Sequence, residues 1–316
     1  MFNIGIDLGG TDIKTAIVDM DGNIVAKAQR PTLAQRPYNE VVKDMADSAL
    51  EALAKTSYTL DDIKNIGIGI PGIADEKTGN VIFCTNLGWY DTPLSKEIQK
   101  YINKPVFINN DATVAGYAEY IAVVSKGTHS SVFITLGTGI GSGIIINGKP
   151  WSGFHGVGAE LGHAPLNVIN GVMCTCGNEG CLERYCSATA LIRLAKETLQ
   201  KDNNSIIFEK CKGNLEKINA RMVVDAAKEN DEIAVKIFDE YVFYLSKAIL
   251  MVINIIDPEV IVLGGGVSKA GSFLVDAVNK KIPGFLLYKN SKYPEILIAK
   301  LGADAGVIGA AMLGKE

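Results

Sequence analysis

The chain has 316 residues, room for two domains at roughly 150 residues each. Hydrophobic residues make up 47% and charged residues 21%, ordinary globular usage that excludes a disordered chain, a collagen-like repeat and a disulfide-stapled mini-protein. A formal net charge of −4 argues against a nucleic-acid binder, which carries a basic excess. The first residues lack a basic segment and Asp7 interrupts their apolar run, so no secretory signal is read there. No apolar run reaches the ~18 residues of a membrane span. The expectation is a soluble cytoplasmic protein with no membrane partner.

In chain order, Phe2–Leu8 alternates as a strand and ends in Gly9-Gly10-Thr11-Asp12. Residues 13–19 read as a second strand, Asp21-Gly22 as a turn and residues 24–29 as a third strand, together a meander. Residues 38–55 have helical periodicity. Residues 65–70 form a buried strand ending at Pro71-Gly72. Thr92-Pro93 reads as an N-cap followed by Pro at the first helical position, opening a helix to about Ile102. A short strand over 105–109 and a helix over 112–124 follow.

An internal echo comes next. Asp7-Leu8-Gly9-Gly10-Thr11 is matched 128 residues later by Thr135-Leu136-Gly137-Thr138-Gly139. In both places an apolar strand enters a glycine turn and a second leaves it, as duplicated domains would show. Two unrelated hairpins with common turn residues would look the same. Beyond a Gly- and Cys-rich stretch from Trp151 to Cys186, helices are expected over 187–201, 220–230 and 232–256. A buried strand over 259–263 then leads into Gly264-Gly265-Gly266, and a helix covers about 305–313. Residues 202–218 read as irregular.

Five motifs carry chemistry. Gly9, Gly10 and Thr11 form a turn whose N–H groups suit a phosphate, the glycines supplying positive φ. Asp7 stands at the strand end where it could hold Mg²⁺ directly or through water, and Lys14 could add neutralising charge. An ordinary hairpin turn is the competing interpretation, and neither a Walker A nor a Rossmann pattern is present. Gly137, Thr138 and Gly139 repeat the logic, and two facing turns could clamp a polyphosphate. Gly264, Gly265 and Gly266 would let a flat base or ribose lie against the backbone, or serve structure alone. Asn109-Asn110-Asp111 precedes a helix, where Asn and Asp are favoured caps, but an Asp there could also take a hydroxyl proton. His163, Cys174, Cys176 and Cys181 form a Cys₃His set, the donor set of a closed, structural zinc site. Buried free thiols are the alternative there, and the interpretation given to Cys84, Cys186 and Cys211. Glu160 and Glu183 flank the set and could accept hydrogen bonds from polyol hydroxyls, or be solvated surface charge. Asn86-Leu87-Gly88-Trp89 offers an amide and an aromatic face suited to a sugar.

These motifs, from Asp7-x-Gly-Gly-Thr11 through Asn110-Asp111, Glu160-x-Gly162-His163 and Cys174-x-Cys176-Gly-x-x-Gly-Cys181-x-Glu183 to Gly264-Gly-Gly266, resemble the ROK family in order over essentially the whole chain. That family contains bacterial glucokinases, other hexose and N-acylhexosamine kinases, and sugar-responsive repressors. The knuckle ending in Glu is specific to it; the glycine turns are shared by the wider actin-like ATPase superfamily.

The resemblance implies an α/β fold of two actin-like (ribonuclease H-like) domains with ATP and sugar in a central cleft and a zinc knuckle in the second domain. The first would cover 1–115 with the C-terminal helix at about 302–316, the second 116–301. Asp111 would be the catalytic base. Asn86, Asn110, Asp111, Glu160, His163 and Glu183 would bind sugar, with His163 ligating zinc through one nitrogen and facing the sugar with the other. Asp7, Gly9, Gly10, Thr11, Lys14, Gly137, Thr138, Gly139 and Gly264 to Gly266 would hold ATP and Mg²⁺, and His163, Cys174, Cys176 and Cys181 structural Zn²⁺. Many relatives carry Asn two residues after the catalytic Asp, where this chain has Thr113. Repressors of the family place a helix-turn-helix before the first motif, and six residues before Asp7 leave no room for one. The expected activity is therefore an ATP-dependent hexose kinase, a glucokinase first. An N-acylhexosamine, mannose, allose or fructose kinase, a non-catalytic sugar sensor and an actin-like assembly protein are the rivals. The family suggests a homodimer or homotetramer.

Overall fold

The computed structural model describes residues 1–315; Glu316, the last residue of the expected C-terminal segment, lies outside the described residues. The fold is α/β. The strands are β1 (Phe2–Leu8), β2 (Asp12–Asp19), β3 (Ile24–Pro31), β4 (Ile63–Ile70), β5 (Ile73–Asp75), β6 (Asn80–Cys84), β7 (Trp89–Thr92), β8 (Val106–Asn110), β9 (Ser130–Leu136), β10 (Ile140–Ile146), β11 (Lys149–Pro150), β12 (Val260–Gly264) and β13 (Glu295–Ile298). The helices are α1 (Tyr38–Ala54), α2 (Leu94–Gln99), α3 (Asp111–Ala122), α4 (Glu183–Cys186), α5 (Ala188–Leu199), α6 (Ile206–Lys210), α7 (Ala220–Lys228), α8 (Glu232–Ile256), α9 (Gly265–Ser268), α10 (Ser272–Phe285) and α11 (Ala305–Met312). No helix among the described residues is long and apolar enough to cross a membrane.

Two five-stranded sheets repeat one strand order, β3-β2-β1-β4-β8 and β11-β10-β9-β12-β13, and β5-β6-β7 form a small third sheet. The echo between the two glycine turns thus extends to whole sheets. The chain divides into two compact units. One holds 1–133, 143–159 and the chain from Lys300 on; the other holds 134–142 and 160–299. The division expected at residue 116 falls inside α3. This helix stays whole in the first unit because Val114 and Ala118 share one buried cluster with Val307, Ile308 and Ala311 of α11.

In the first unit, β1 buries Ile4, Ile6 and Leu8 completely. They pack with Ile66 and Ile68 of β4 and with Val42, Met45 and Ala49 of α1. On the other face α11 lies against β1 and β4 at glycine distance. A Cβ on Gly5 would fall 1.9 Å from the Val307 carbonyl oxygen, and one on Gly67 1.7 Å from that of Ala310. Gly309 makes the same allowance toward the Val114 carbonyl of α3, at 1.7 Å. Gly5 pairs with Gly67 in the parallel β1–β4 register, so the two gaps form one bed for the helix.

In the second unit α8 is capped by the Asp231 side chain, which accepts from the Ala234 N–H. Its fully buried Tyr241 donates to the Cys186 carbonyl at 2.6 Å. Pro93 is the N-cap of α2, one position later than the sequence suggests, and α2 stops at Gln99. Residues 202–218, expected to be irregular, include α6 under the Ser205 cap. The short strands β5, β6, β7 and β13 carry no sequence signal strong enough to have been expected, whereas helix does follow the Gly264-Gly265-Gly266 run, as α9 and α10.

Glu119 of α3 is 1% exposed and ties α3 to the chain entering α11. Its Oε1 accepts the Lys300 and Leu301 N–H groups at 2.8 and 2.7 Å, while its buried Oε2 has no hydrogen-bond partner. Burial pushes its carboxyl above the ordinary glutamate value, opposed by those two N–H groups and the Lys300 charge. A carboxyl raised on folding binds more protons in the native state. Its contribution therefore falls as pH rises from the unfolded value, near ~4.3, through the raised native one. Urea unfolding should show Glu119→Ala less stable by roughly 2–4 kcal/mol, because two buried N–H groups lose their acceptor. Glu119→Gln keeps that acceptor and should lose less stability than wild type as pH rises above the unfolded value.

Candidate functional site

Parallel strands in open α/β sheets present their ligands at the carboxyl ends. In the first unit these ends carry the expected residues. Asp7 of β1 pairs with Gly69 of β4, and Gly69 with Asn109 of β8, so one row runs across three strands. Gly69 keeps the row close: a Cβ there would lie 2.7 Å from Val114 Cγ2 and 3.6 Å from Asp111 Cα. Asp7 faces Lys14 across the β1–β2 pair. Gly306 of α11 packs against it, since a Cβ there would fall 2.7 Å from its carboxylate. Burial raises the Asp7 pKa and the Lys14 charge opposes that. A carboxylate so enclosed suits a cation, which would reverse the shift.

The first glycine turn is tied from one side. Thr32 Oγ1 donates to the Gly9 carbonyl at 2.7 Å and the Thr32 N–H to the Thr11 carbonyl at 2.8 Å. In a trans peptide the N–H points opposite to the carbonyl, so the Gly10 N–H faces away from Thr32. Gly10 and Thr11 are exposed, and Asn86 lies beside Gly10. Neither Gly9 nor Gly10 has positive φ. Here the sequence expectation is corrected: Gly9 fits a tight turn, 3.1 Å from the Asp12 carbonyl oxygen to a would-be Cβ, without left-handed backbone.

Asn110 is the N-cap of α3. Its Oδ1 accepts from the Ala112 and Thr113 N–H groups and its Nδ2 donates to the Gly72 carbonyl. Capping thus engages both ends of its amide. Asp111 follows as the first helical residue, half-buried, where the helix N-terminus favours negative charge. Trp89, expected to offer a sugar an aromatic face, is instead 3% exposed in the core with its edge toward Tyr38. Trp151 is the tryptophan at the surface, 46% exposed.

The second unit carries the second turn and the knuckle. The Gly137 carbonyl accepts the Ala188 N–H at 2.8 Å and the Thr138 carbonyl the Thr189 hydroxyl at 2.7 Å, both at the start of α5. By the same peptide geometry the Thr138 and Gly139 N–H groups face away from α5. Gly137 and Gly139 also lack positive φ. Gly139 lies against Glu183, whose Oε2 would be 2.3 Å from a Cβ there. That oxygen accepts the Ile140 N–H at 2.9 Å, so Glu183 braces the turn. Gly265 has φ +84°, and a Cβ there would lie 2.6 Å from the Leu136 backbone, whereas Gly266 borders open space. The left-handed φ and this close contact account for Gly265, which like Gly266 is exposed.

His163, Cys174, Cys176 and Cys181 place one ligand atom each within 4.8 Å of one another. Cys176 and Cys181 sulfurs are 3.6 Å apart, and His163 Nδ1 is 3.7 Å from the Cys174 sulfur. Tetrahedral zinc with sulfur ligands at about 2.3 Å separates them by about 3.8 Å, so the set fits the ion. The Asn178 N–H holds the Cys176 thiol down to about 7, and burial with two neighbouring thiols pushes Cys181 up. Gly180, at φ +76°, lets the loop turn under Asn167, whose carbonyl oxygen would lie 1.7 Å from a Cβ. Glu160 is exposed on one side, yet neighbouring chain raises its pKa, opposed by the His163 charge. Gly162 seats this segment on β10, a Cβ there falling 2.3 Å from the Ile140 carbonyl oxygen. Cys84, Cys186 and Cys211 are buried outside the set.

The ROK family model matches residues 3–316. The chain belongs to the ROK family. The chain is 37% identical over 314 residues to a glucokinase of Thermotoga maritima, with 99% of this chain and 97% of that protein covered. A ROK family glucokinase from Streptomyces griseus, solved in complex with glucose and AMPPNP, superposes with a TM-score of 0.82 at 32% identity, covering 99% of both chains. A xylose repressor of Bacillus subtilis is 27% identical, with 98% of this chain and 75% of the repressor covered.

Thr113, which stands where many ROK relatives carry Asn, is 2% exposed beneath Gly143, whose would-be Cβ lies 2.9 Å from its Cα. It is packed too closely to meet a ligand. Glu76 and Ser152 touch the row of strand ends through Asn109 and were not anticipated. Glu76 lies in a run of turn charges, Asp75-Glu76-Lys77, with nothing local to distinguish it.

Metal analysis of purified protein should find about one zinc per chain. Cys181→Ala should lose it and lower the melting temperature by several degrees, as should a strong chelator. Cys84→Ala should leave metal content unchanged.

Proposed function

We propose that this ATP-dependent sugar kinase phosphorylates glucose to glucose 6-phosphate, with Asp111 as general base. The observation that carries the reading is a half-buried carboxylate at the start of α3, two residues beyond Asn109, which lies on the same row of parallel strand ends as Asp7. It is supported by similarity over nearly the full length to glucokinases, one of them solved with glucose and AMPPNP.

The chemistry asked of the chain is modest, because phosphoryl transfer depends on positioning and charge stabilisation. Asp111 orients the sugar hydroxyl and accepts its proton as oxygen attacks the γ-phosphorus in line. The N–H groups of the turns at Gly9 to Thr11 and Gly137 to Gly139 donate to phosphate oxygens, where negative charge develops. Lys14 and Asp7 set the charge beside the first turn, and Asp7 would hold Mg²⁺, which when bound neutralises phosphate charge. Glu160 and Glu183 accept sugar hydroxyls, with Asn86, Asn110 and His163 as further polar partners. The Cys₃His set, with zinc, would hold the loop bearing Glu160 and Glu183. Gly264 to Gly266 border the nucleoside. Actin-like domains, a cytoplasmic location and a homodimer or homotetramer complete the reading by family resemblance.

A non-catalytic sugar sensor is the second reading, favoured by the repressor similarity. ADP release with Mg-ATP should be measured across glucose, mannose, fructose, allose, GlcNAc and ManNAc. Glucose should give the highest kcat/KM; preference for another sugar would replace the substrate, and hexose binding without turnover would favour the sensor. Asp111→Ala and Asp111→Asn should lower kcat by about 10²–10⁴ with the fold intact, the range a positioned base contributes. Turnover like the wild type in either variant would refute the base.

A further inference from the structure

Asn109 is 2% exposed at the end of β8, two residues before Asp111. Its Nδ2 donates to Glu76 Oε1 at 2.9 Å, and its Oδ1 accepts the Asn110 N–H at 2.7 Å. Ser152 Oγ lies 2.8 Å from the same Glu76 oxygen and 3.3 Å from Asn109 Oδ1. A hydroxyl has one hydrogen, and the shorter bond to a carboxylate takes it. Glu76 therefore receives both donors.

This chemistry orients the Asn109 amide. Glu76 accepts only, so the NH₂ end must face it, and the oxygen must then face the Asn110 N–H. A flipped amide would set oxygen against carboxylate and NH₂ against N–H, two repulsive pairs. The peptide between Asn109 and Asn110 is thereby held, and with it the cap on which Asp111 begins α3. Three separate segments meet here: the turn after β5, the end of β8 and the loop after β11. The loop is drawn in further at Gly156, whose would-be Cβ lies 2.8 Å from the Ala74 carbonyl oxygen. A cavity of about 470 Å³ opens beside the junction, lined by Glu76, Ser152, Trp151, Phe154 and His155 among others.

We propose that Glu76, Asn109 and Ser152 form a clasp that positions Asp111 for the acceptor hydroxyl, Glu76 being its anchor. The clasp rests on the kinase reading above, with Asp111 as base. Glu76 is a positioning residue: it acts on the acceptor side through the Asn109 amide. Without its carboxylate a buried NH₂ loses its acceptor, and the force that fixes the amide's orientation goes with it.

The test is steady-state kinetics of the full chain with Mg-ATP and its best hexose, with melting temperatures recorded alongside. Glu76→Ala should lower kcat/KM for the hexose at least tenfold, while the KM for ATP stays within twofold. Glu76→Gln, which can still offer a carbonyl oxygen to Asn109, should recover most of that loss. Ser152→Ala, which leaves the Glu76–Asn109 bond, should cost about threefold. Wild-type hexose kinetics in Glu76→Ala would overturn the clasp. So would equal rises in both KM values with a lowered melting temperature and no rescue by Gln, the pattern of general destabilisation. Absence of turnover in the wild type on every sugar of the panel would overturn the kinase reading and the clasp with it.

Discussion

The first unit depends on how closely a helix can approach a sheet. Packing of α11 on β1 and β4 at the distances found leaves no space for a side chain at Gly5 or Gly67, and none at Gly309 toward α3. The gain is dispersion contact along the whole of a helix rich in small residues, with Val307, Ala310, Ala311 and Met312 almost wholly buried. The consequence is local chemistry. The same approach brings Gly306 against Asp7, encloses its carboxylate and raises its pKa. It also seats α3, and so fixes where Asp111 stands relative to the strand ends. Glu119 completes the arrangement by giving an acceptor to two backbone N–H groups on the way into α11.

The second unit solves a related problem with different means. Its knuckle loop leaves Val168, Ile169 and Met173 exposed, and is held by cross-links instead. The Cys₃His set gathers four donors, Gly177 and Gly180 supply left-handed backbone, and Glu183 connects the end of the knuckle to the turn at Gly139. One carboxylate therefore serves two neighbours. Its Oε2 accepts the Ile140 N–H and lies where it would meet a Cβ on Gly139.

Asn110 is bonded at both ends of its amide, so its main duty is to cap α3. Asp111, next to it, takes the favourable charge position that the cap creates. The two candidate turns share a further principle: their carbonyls are bonded to neighbouring segments, which sends the intervening N–H groups the other way. In the proposed function the turns meet phosphate through this orientation and not through glycine φ.

Much of the fold was legible in the sequence, because long periodic segments report their own burial. The helix α8 spans the residues its pattern marks, and β1 to β4 fall where the sequence places strands. The short strands β5 to β7 were not legible, since three to five residues carry too little periodicity. The Cys₃His set and the glycine turns were legible as motifs, because their chemistry depends on residue type and local spacing. Tertiary structure alone decided the rest. It buried Trp89 and Thr113, set Gly9 in a tight turn and Glu183 against Gly139, and joined Glu76 and Ser152 to Asn109. Those contacts link residues 33 and 43 positions apart. At that separation no local periodicity or turn preference reports a contact, and packing alone determines which side chains meet.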